Sequence, residues 1–253
     1  MKLTVLGSSA AYAGPSDACS GYLVDEGDTR ILLDCGTGVI SNLQHHIDLR
    51  EITHIVISHM HADHFFDLVP LHHALRHLNG EAFTGQPQLL LPPGGLQVVK
   101  GISETIGCSA FGPDRAFLIE EYNPGTRYSA GPLELEFTPT EHYIPAYAIG
   151  VLGNGWKVTY SGDSRPCSGL VKAAEDADLF LCEATVSDPA DSRGRQGHML
   201  AREAGETAQS AGVHRLVVTH FWPDCDRENS REQAGIGFDG ITEIARPGKT
   251  FDL

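Results

Sequence analysis

Residues 57–64 read ISHMHADH and follow directly on the apolar run Ile55-Val56-Ile57. Three histidines and one aspartate thus stand within six positions, at the mouth of a short buried strand over 54–57. His59 and His61 lie two apart on extended chain, so their side chains point to the same side. Two imidazoles at that spacing can hold one divalent ion. Asp63 and His64 are adjacent, project differently and can reach a second ion. They open a helix predicted over 63–78, where Phe66, Leu68, Leu71, Ala74, Leu75 and Leu78 recur at helical spacing. Asp63 also suits the first turn of that helix electrostatically. A chance histidine cluster on a surface loop is the competing reading, and the strand-to-helix setting of H-x-H-x-D-H speaks against it.

Two ions need more donors than these four, since each Zn²⁺ takes about four donors with room left for water. The missing donors should also stand where strands end. His142 lies in PTEHYIP after a strand predicted over 133–138. Asp163 lies in YSGDS after a strand over 157–161. His220 lies in VVTHFWP after a strand over 215–219. Each alone would be as ordinary as any surface or structural residue. Together with the first cluster they read as a ligand set.

The chain has 253 residues, 18 basic against 33 acidic, and a net charge of −15. That length allows a substantial core, and we expect one domain over 1–253. No basic stripe is present, which argues against a broad nucleic-acid surface. A small anionic substrate held by local metal charge remains compatible. None of the six cysteines forms a C-x-x-C pair, so we expect free thiols. The start, MKLTVLGSSAAYAGP, has only Leu3–Leu6 as an apolar core, short of the roughly 7–15 residues of a signal sequence. No run reaches the roughly 18 apolar residues of a membrane span. A cytoplasmic protein without membrane association is the expectation.

Short β-rich runs at 2–6, 21–24 and 30–33 are followed by a predicted helix over 38–47. Beyond the metal-type cluster, a strand over 88–91 and a helix over 95–106 are expected. The second half repeats the rhythm, with strands at 116–121, 133–138, 146–152, 157–161, 178–182 and 215–219. Its helices are expected over 169–175 and 200–211, and the tail ITEIARPGKTFDL could add a last short strand. Two β-rich halves, each carrying helices, suggest an α/β architecture of two mixed sheets packed together with helices outside.

In order along the chain, SHMHADH, SGDS and THFWP resemble the metallo-β-lactamase superfamily. The resemblance spans nearly the whole chain and implies an αββα sandwich with a dinuclear site along one edge. It implies that His59, His61 and His142 hold one ion, that Asp63, His64 and His220 hold the other, and that Asp163 bridges them. The ions would be Zn²⁺, or alternatively Mn²⁺. LCEAT at 181–185 and GHMLAREAGETAQSAGVHRLVVTH at 197–220 are similar to the ribonuclease Z-like phosphodiesterase branch. There a glutamate pairs with a histidine that opens a helix, and these positions are Glu183 and His198 here. The resemblance implies that Glu183 orients His198 and favours its protonated form. His198 would then stabilise the developing phosphorane or protonate the leaving alkoxide. The two ions would lower the pKa of a shared water, which Asp63 contacts as it attacks phosphorus.

The tRNA-processing members of that branch carry a long arm between the positions of His142 and Asp163. Here those residues stand 21 positions apart, with two strands and a GNG turn between them. The chain resembles the compact bacterial and phage relatives that cleave 3′,5′-cyclic nucleotides, which implies a small nucleotide substrate and no large nucleic-acid partner. Three other readings are weighed against it: a ribonuclease Z-type tRNA 3′-processing enzyme, a lactone or thioester hydrolase of the same fold, and a metal-bound binding module. A di-iron redox enzyme is disfavoured, because such members replace the second histidine by Glu and His61 stands here. A homodimer is expected by analogy, with LNGEAFTGQPQ at 78–88 as the loop that approaches the partner. Ser8 or Ser9 in the first loop could contact substrate, and the rings of Tyr143, Phe221 and Trp222 could stack on a base. His72, His73 and His77 are expected to be structural or exposed, and His45, His46, His54 and His214 show no partner pattern.

Overall fold

The computed structural model describes residues 1–77, 85–108, 111 and 116–253. The first sheet contains β1 (Lys2–Ser9), β2 (Ala18–Cys19), β3 (Gly21–Glu26), β4 (Thr29–Leu33), β5 (His54–Val56), β6 (Gln88–Leu91) and β7 (Leu118–Glu121). The second contains β8 (Tyr128–Ala130), β9 (Leu133–Pro139), β10 (Tyr147–Gly153), β11 (Trp156–Tyr160), β12 (Leu179–Glu183), β13 (Arg215–Thr219) and β14 (Ile241–Ile244). The terminal β15 (Thr250–Asp252) returns to pair with β1.

Both sheets are built alike. Neighbours are antiparallel from β15 through β1 and β3 to β4, and parallel from β4 through β5 and β6 to β7. The second sheet is antiparallel from β8 to β11 and parallel from β11 to β14. Parallel neighbours need crossovers, and helices supply them. These are α1 (Val39–Leu43), α2 (Ala62–Phe65), α3 (Leu68–His77) and α4 (Gly95–Ile106) on the first sheet. On the second they are α5 (Ser168–Ala174), α6 (Ala201–Ala211) and α7 (Arg227–Gly237).

Strand periodicity then sorts the side chains into three layers. Val56, Leu90, Leu179, Leu181 and Val217 face the interior between the sheets. Ile55, Leu89 and Leu91 face the helices of the first half, and Phe180, Cys182, Leu216 and Val218 face those of the second. Strands covered on both faces must be apolar throughout, which is why these runs do not alternate with polar residues. The result is an αββα sandwich. All six cysteines are free thiols. Among the described residues no helix is long and apolar enough to cross a membrane.

Several boundaries differ from the sequence expectation for identifiable reasons. The helix predicted over 63–78 divides into α2 and α3 at Phe66–Asp67. Pro70 lacks the N–H that would reach the Phe66 carbonyl in a continuous helix, and its ring would press on that carbonyl. Asp67 uses the break: its carboxylate accepts from Ile40 N at 3.0 Å at the start of α1. The helix expected over 38–47 stops at Leu43, and the tail contributes two strands rather than one. Helix α7 was not expected, and neither was β8. The GNG turn is a two-residue hairpin connection, Asn154-Gly155, with φ of 53° and 82°, as a type I′ turn requires. Most of the stretch expected to approach a partner, residues 78–84, lies outside the described residues.

Candidate metal centre

Parallel strands leave their carboxyl ends at one edge, where crossover loops diverge and a ligand can enter. The ends of β4, β5, β11, β12 and β13 meet at such an edge here. Two bridges, Ser9 with Phe221 and His59 with Ala146, stitch the sheets together at that level. Among the described residues, three of the six non-glycine residues with positive φ stand at this edge: Ala11 and His220 at 58° and Asp34 at 55°. A backbone held there is strained for such residues, and such strain concentrates at functional sites. Gly36 is needed for another reason. A Cβ on it would meet the Asp63 carbonyl oxygen at 1.9 Å, so only glycine lets the loop after β4 lie against the HADH turn.

All seven residues read from the sequence as ligands converge here. His59 Nε2 and His61 Nδ1 stand 3.1 Å apart, and His142 Nε2 lies 3.0 Å from the same His61 nitrogen. Asp163 Oδ2 lies 3.6 Å from His59 Nε2 and 3.9 Å from His142 Nε2. In the second group His64 Nε2 and His220 Nε2 are 3.2 Å apart, with Asp63 Oδ2 at 3.5 and 3.2 Å from them. The other Asp163 oxygen, Oδ1, lies 3.5 Å from His64 Nε2. One carboxylate therefore faces both groups, an oxygen to each.

The tautomers follow from what stands behind each ring. His64 Nδ1 donates to Asp34 Oδ2 at 2.7 Å, and His142 Nδ1 donates to the Gly197 carbonyl at 2.7 Å. Ser58 Oγ donates to Asp34 and so accepts from His59 Nδ1 at 3.1 Å. Thr185 Oγ1 donates to Glu183 Oε2 and accepts from His220 Nδ1 at 2.7 Å. Four rings are thus held with Nε2 as a bare lone pair aimed inward, the arrangement a metal-binding imidazole requires.

Lone pairs crowded at 3.0–3.2 Å repel unless a cation or proton lies between them. Metal–nitrogen bonds of 2.0–2.1 Å in a tetrahedron separate nitrogens by about 3.4 Å, so small divalent ions fit with minor expansion. The charges agree. Burial, with the neighbouring imidazoles, lowers the pKa of His59, His61 and His142, keeping them neutral. Burial would raise the carboxyl of Asp163, but His220, His64 and His59 hold it well below the usual range. Burial likewise opposes ionisation of Asp63, and His64 and His220 outweigh it. For His64, burial is overcome by Asp163, Asp63 and Asp34, which push its pKa well up, so without a cation its Nε2 holds a proton, which metal binding would displace. Among the described residues Asp163 Oδ1 is buried without a hydrogen-bond partner. An orphaned carboxylate oxygen among inward lone pairs is the signature of a site built around positive charge.

Glu183, at the end of β12, is fully buried. Its Oε1 accepts from Ser164 N at 2.7 Å and from His198 Nδ1 at 2.9 Å. His198 stands just before α6, with Nδ1 3.9 Å from Asp163 Oδ2. Burial resists its protonation, yet Glu183, with help from Asp163, raises its pKa to about 9. His198, His61, Asp63, Asp163, Thr185, His220 and Trp222 line a recess of 340 Å³ together with Ala10, Ala11 and Ala62.

Residues 29–221 match the family model for the beta-lactamase superfamily domain. The chain belongs to the metallo-β-lactamase superfamily. A probable metallo-hydrolase of Bacillus subtilis strain 168, YhfI, is 30% identical to it over the whole length of both chains. The crystal structure of the Bacillus subtilis metallo-beta-lactamase fold protein YhfI superposes with a TM-score of 0.88 at 28% identity, covering 99% of each chain. A protein named ribonuclease Z from Myxococcus xanthus is 28% identical over all of this chain and 98% of its own. This metallo-β-lactamase superfamily member is a metallo-hydrolase with His/Asp clusters suited to divalent metals.

Four supporting residues went unrecognised in the sequence: Asp34, Ser58, Thr185 and Ala11. The first loop acts through the Ala11 amide, which donates to Asp63 Oδ2 at 2.7 Å. Its serines do not line the recess; Ser8 Oγ is engaged by Asp17, and Ser9 is fully buried. His72, also buried, accepts from Ala116 N, and His214 pairs with Asp178 away from the site. Asp34 carries the largest share of the support. It accepts from Ser58 N and Oγ, His64 Nδ1 and the Tyr160 hydroxyl, all within 2.8 Å. Asp34→Ala leaves four buried donors unpaired and is expected to cost about 3–5 kcal/mol of stability. Metal affinity should fall about 10–100-fold. Urea unfolding of chelator-treated protein and metal titration measure the two effects. A stability change below about 0.5 kcal/mol, within the range of an ordinary surface substitution, would mean that Asp34 is not the support described.

Proposed function

We propose that the protein is a phosphodiesterase that opens 3′,5′-cyclic nucleotides, or similar small phosphodiesters, to 5′-monophosphates. The observation that carries this reading is the Glu183–His198 pair at the wall of the recess. A thioester expels a thiolate that departs unaided, so its hydrolysis has little need of a separate cationic acid on this side of the centre. Departure of a sugar alkoxide from phosphorus does. Bound divalent ions, Zn²⁺ by preference or Mn²⁺, would be held by His59, His61 and His142 on one side, by Asp63, His64 and His220 on the other, and by Asp163 between. They supply Lewis acidity toward phosphoryl oxygens and acidify water.

The chain's own residues do the rest. Asp63, fixed by the Ala11 amide, orients the attacking water along the line to phosphorus. Glu183 holds His198 by Nδ1 and leaves Nε2–H as the proton donor. As the P–O3′ bond breaks, that proton passes to O3′ and Glu183 stabilises the charge that His198 carried. A molecule of water is consumed, and the product keeps its phosphate on O5′.

Processing of tRNA 3′ ends is the second reading, favoured by relatives named ribonuclease Z that align over the entire chain. Against it, β10 and β11 join through two residues, and the net charge of −15 opposes a polyanion. Protein loaded with Zn²⁺ or Mn²⁺ is expected to convert 3′,5′-cAMP, cGMP, cCMP or cUMP to 5′-monophosphate, and Asp63→Ala to lose that turnover. Chromatography of the products tests it. Metal-replete protein that leaves all four intact but trims precursor tRNA would transfer support to the second reading.

A further inference from the structure

We infer that a cavity of 670 Å³ beside the metal centre is a nucleobase subsite, where Trp222 stacks on a planar heterocycle and the Arg193 guanidinium donates to its acceptor edge. This deepens the phosphodiesterase reading and rests on it for the identity of the ring. His198, Thr185 and Trp222 line both this cavity and the recess over the centre. A ligand whose phosphorus sits by Asp63 and Asp163 therefore extends toward Trp222. The volume lies in the range of small-molecule sites and exceeds what a phosphate alone would occupy.

The walls are aromatic and open. Trp222 is 39% exposed and Tyr143 47% exposed, and Tyr12 lies 6.1 Å from the Trp222 ring at a 45° tilt. Trp222 and Tyr143 line one opening, and adjacent exposed rings of this kind are a mark of a binding site. Tyr143 is the fixed wall. Its hydroxyl donates to the Arg193 carbonyl at 2.7 Å and to that of Gly194 at 3.1 Å, and a Cβ on Gly197 would strike its ring at 2.5 Å. Trp222 has no such tether among the described residues. Asp191 lines the same cavity, but its Oδ1 is engaged by the amides of Arg193 and Gly194. The Arg193 guanidinium has no ion-pair partner among the described residues. Arg193 and the exposed Trp222 line the same cavity, and a planar fork of donors together with an indole suits a heterocycle with ring nitrogen or carbonyl acceptors.

The chain has two tryptophans, and Trp156 starts β11 at the end away from Asp163. Trp156→Phe therefore leaves Trp222 as the sole indole reporter. Metal-loaded Trp156→Phe protein is titrated with 5′-GMP, 5′-AMP, 5′-UMP and, as a baseless control, ribose 5-phosphate. Nucleotides should quench the fluorescence and bind about tenfold or more tighter than ribose 5-phosphate. By calorimetry, Trp222→Leu should erase that difference, and Arg193→Leu should weaken nucleotides without weakening ribose 5-phosphate. Equal affinities, or a Trp222→Leu loss shared equally by the control, would overturn the subsite. If nucleotides bind in preference but cyclic nucleotides are not hydrolysed, the subsite stands and the reaction class falls. Hydrolysis without any preference over ribose 5-phosphate sinks the subsite alone.

Discussion

Asp163→Ala is expected to reduce the metal content from two ions to one or fewer and to lower turnover by more than about 10³-fold. The size of the effect follows from its position. Its two oxygens face different histidine groups, Oδ2 toward His59 and His142 and Oδ1 toward His64. The set of seven contains only one other carboxylate, Asp63. Without Asp163, two cations a few ångströms apart would face five neutral imidazoles and a single negative charge. Their mutual repulsion would no longer be screened by an anion between them. Asp163→Asn separates charge from shape, since it preserves volume and one oxygen acceptor. If charge is what matters, the asparagine variant loses the second ion nearly as fully as alanine. Equilibrium dialysis with metal analysis reads the stoichiometry, and steady-state assays read the rate. Two tightly held ions and undiminished turnover in Asp163→Asn would remove Asp163 from its bridging role.

The contrast between Asp163 and Asp34 shows which parts of the site a sequence exposes. Residues 59–64 carry a dense pattern whose spacing has a geometric meaning on a strand–helix junction. His142, Asp163 and His220 draw notice in the sequence because each stands just past a recognisable apolar strand. Asp34 also ends a strand, yet its partners lie 24, 30 and 126 residues away, and nothing local distinguishes it from an ordinary turn aspartate. Ala11 contributes only an amide, which any residue would offer, so its identity carries no signal. Thr185 was in view within LCEAT, but its link to His220 spans 35 residues. The fold shows the same division. Buried parallel strands announce themselves as apolar runs, and the two-sheet architecture follows. Helix α7 buries only Ala234, so hydrophobic periodicity could not reveal it. The side chain of Asp226, which accepts from the amides of Glu228 and Asn229 at its start, was the available cue.

Turnover is expected to hold steady through neutral pH and fall at alkaline pH, and His198→Ala should abolish that fall while cutting kcat about 10²–10⁴-fold. The sign follows from the folded-state pKa. Burial would lower the pKa of His198, but Glu183 and then Asp163 raise it to about 9, above the ordinary 6.5. Below that value the imidazolium is present and can donate, and above it the donor is lost. Bound cations repel the imidazolium, so the limb in metal-loaded protein should lie at or somewhat below 9. Glu183→Gln tests the cause. It preserves the shape at Oε1 and removes the charge, so the limb should move down toward neutrality. A leaving group that needs no proton tests the role. Methyl p-nitrophenyl phosphate expels p-nitrophenolate unaided, so His198→Ala should lose far less activity on it than on a cyclic nucleotide. Equal losses on the two substrates would show that His198 acts by positioning substrate or stabilising the phosphorane rather than by donating a proton. An alkaline limb that persists unchanged in His198→Ala would assign it to another group, with the ionising water the foremost alternative.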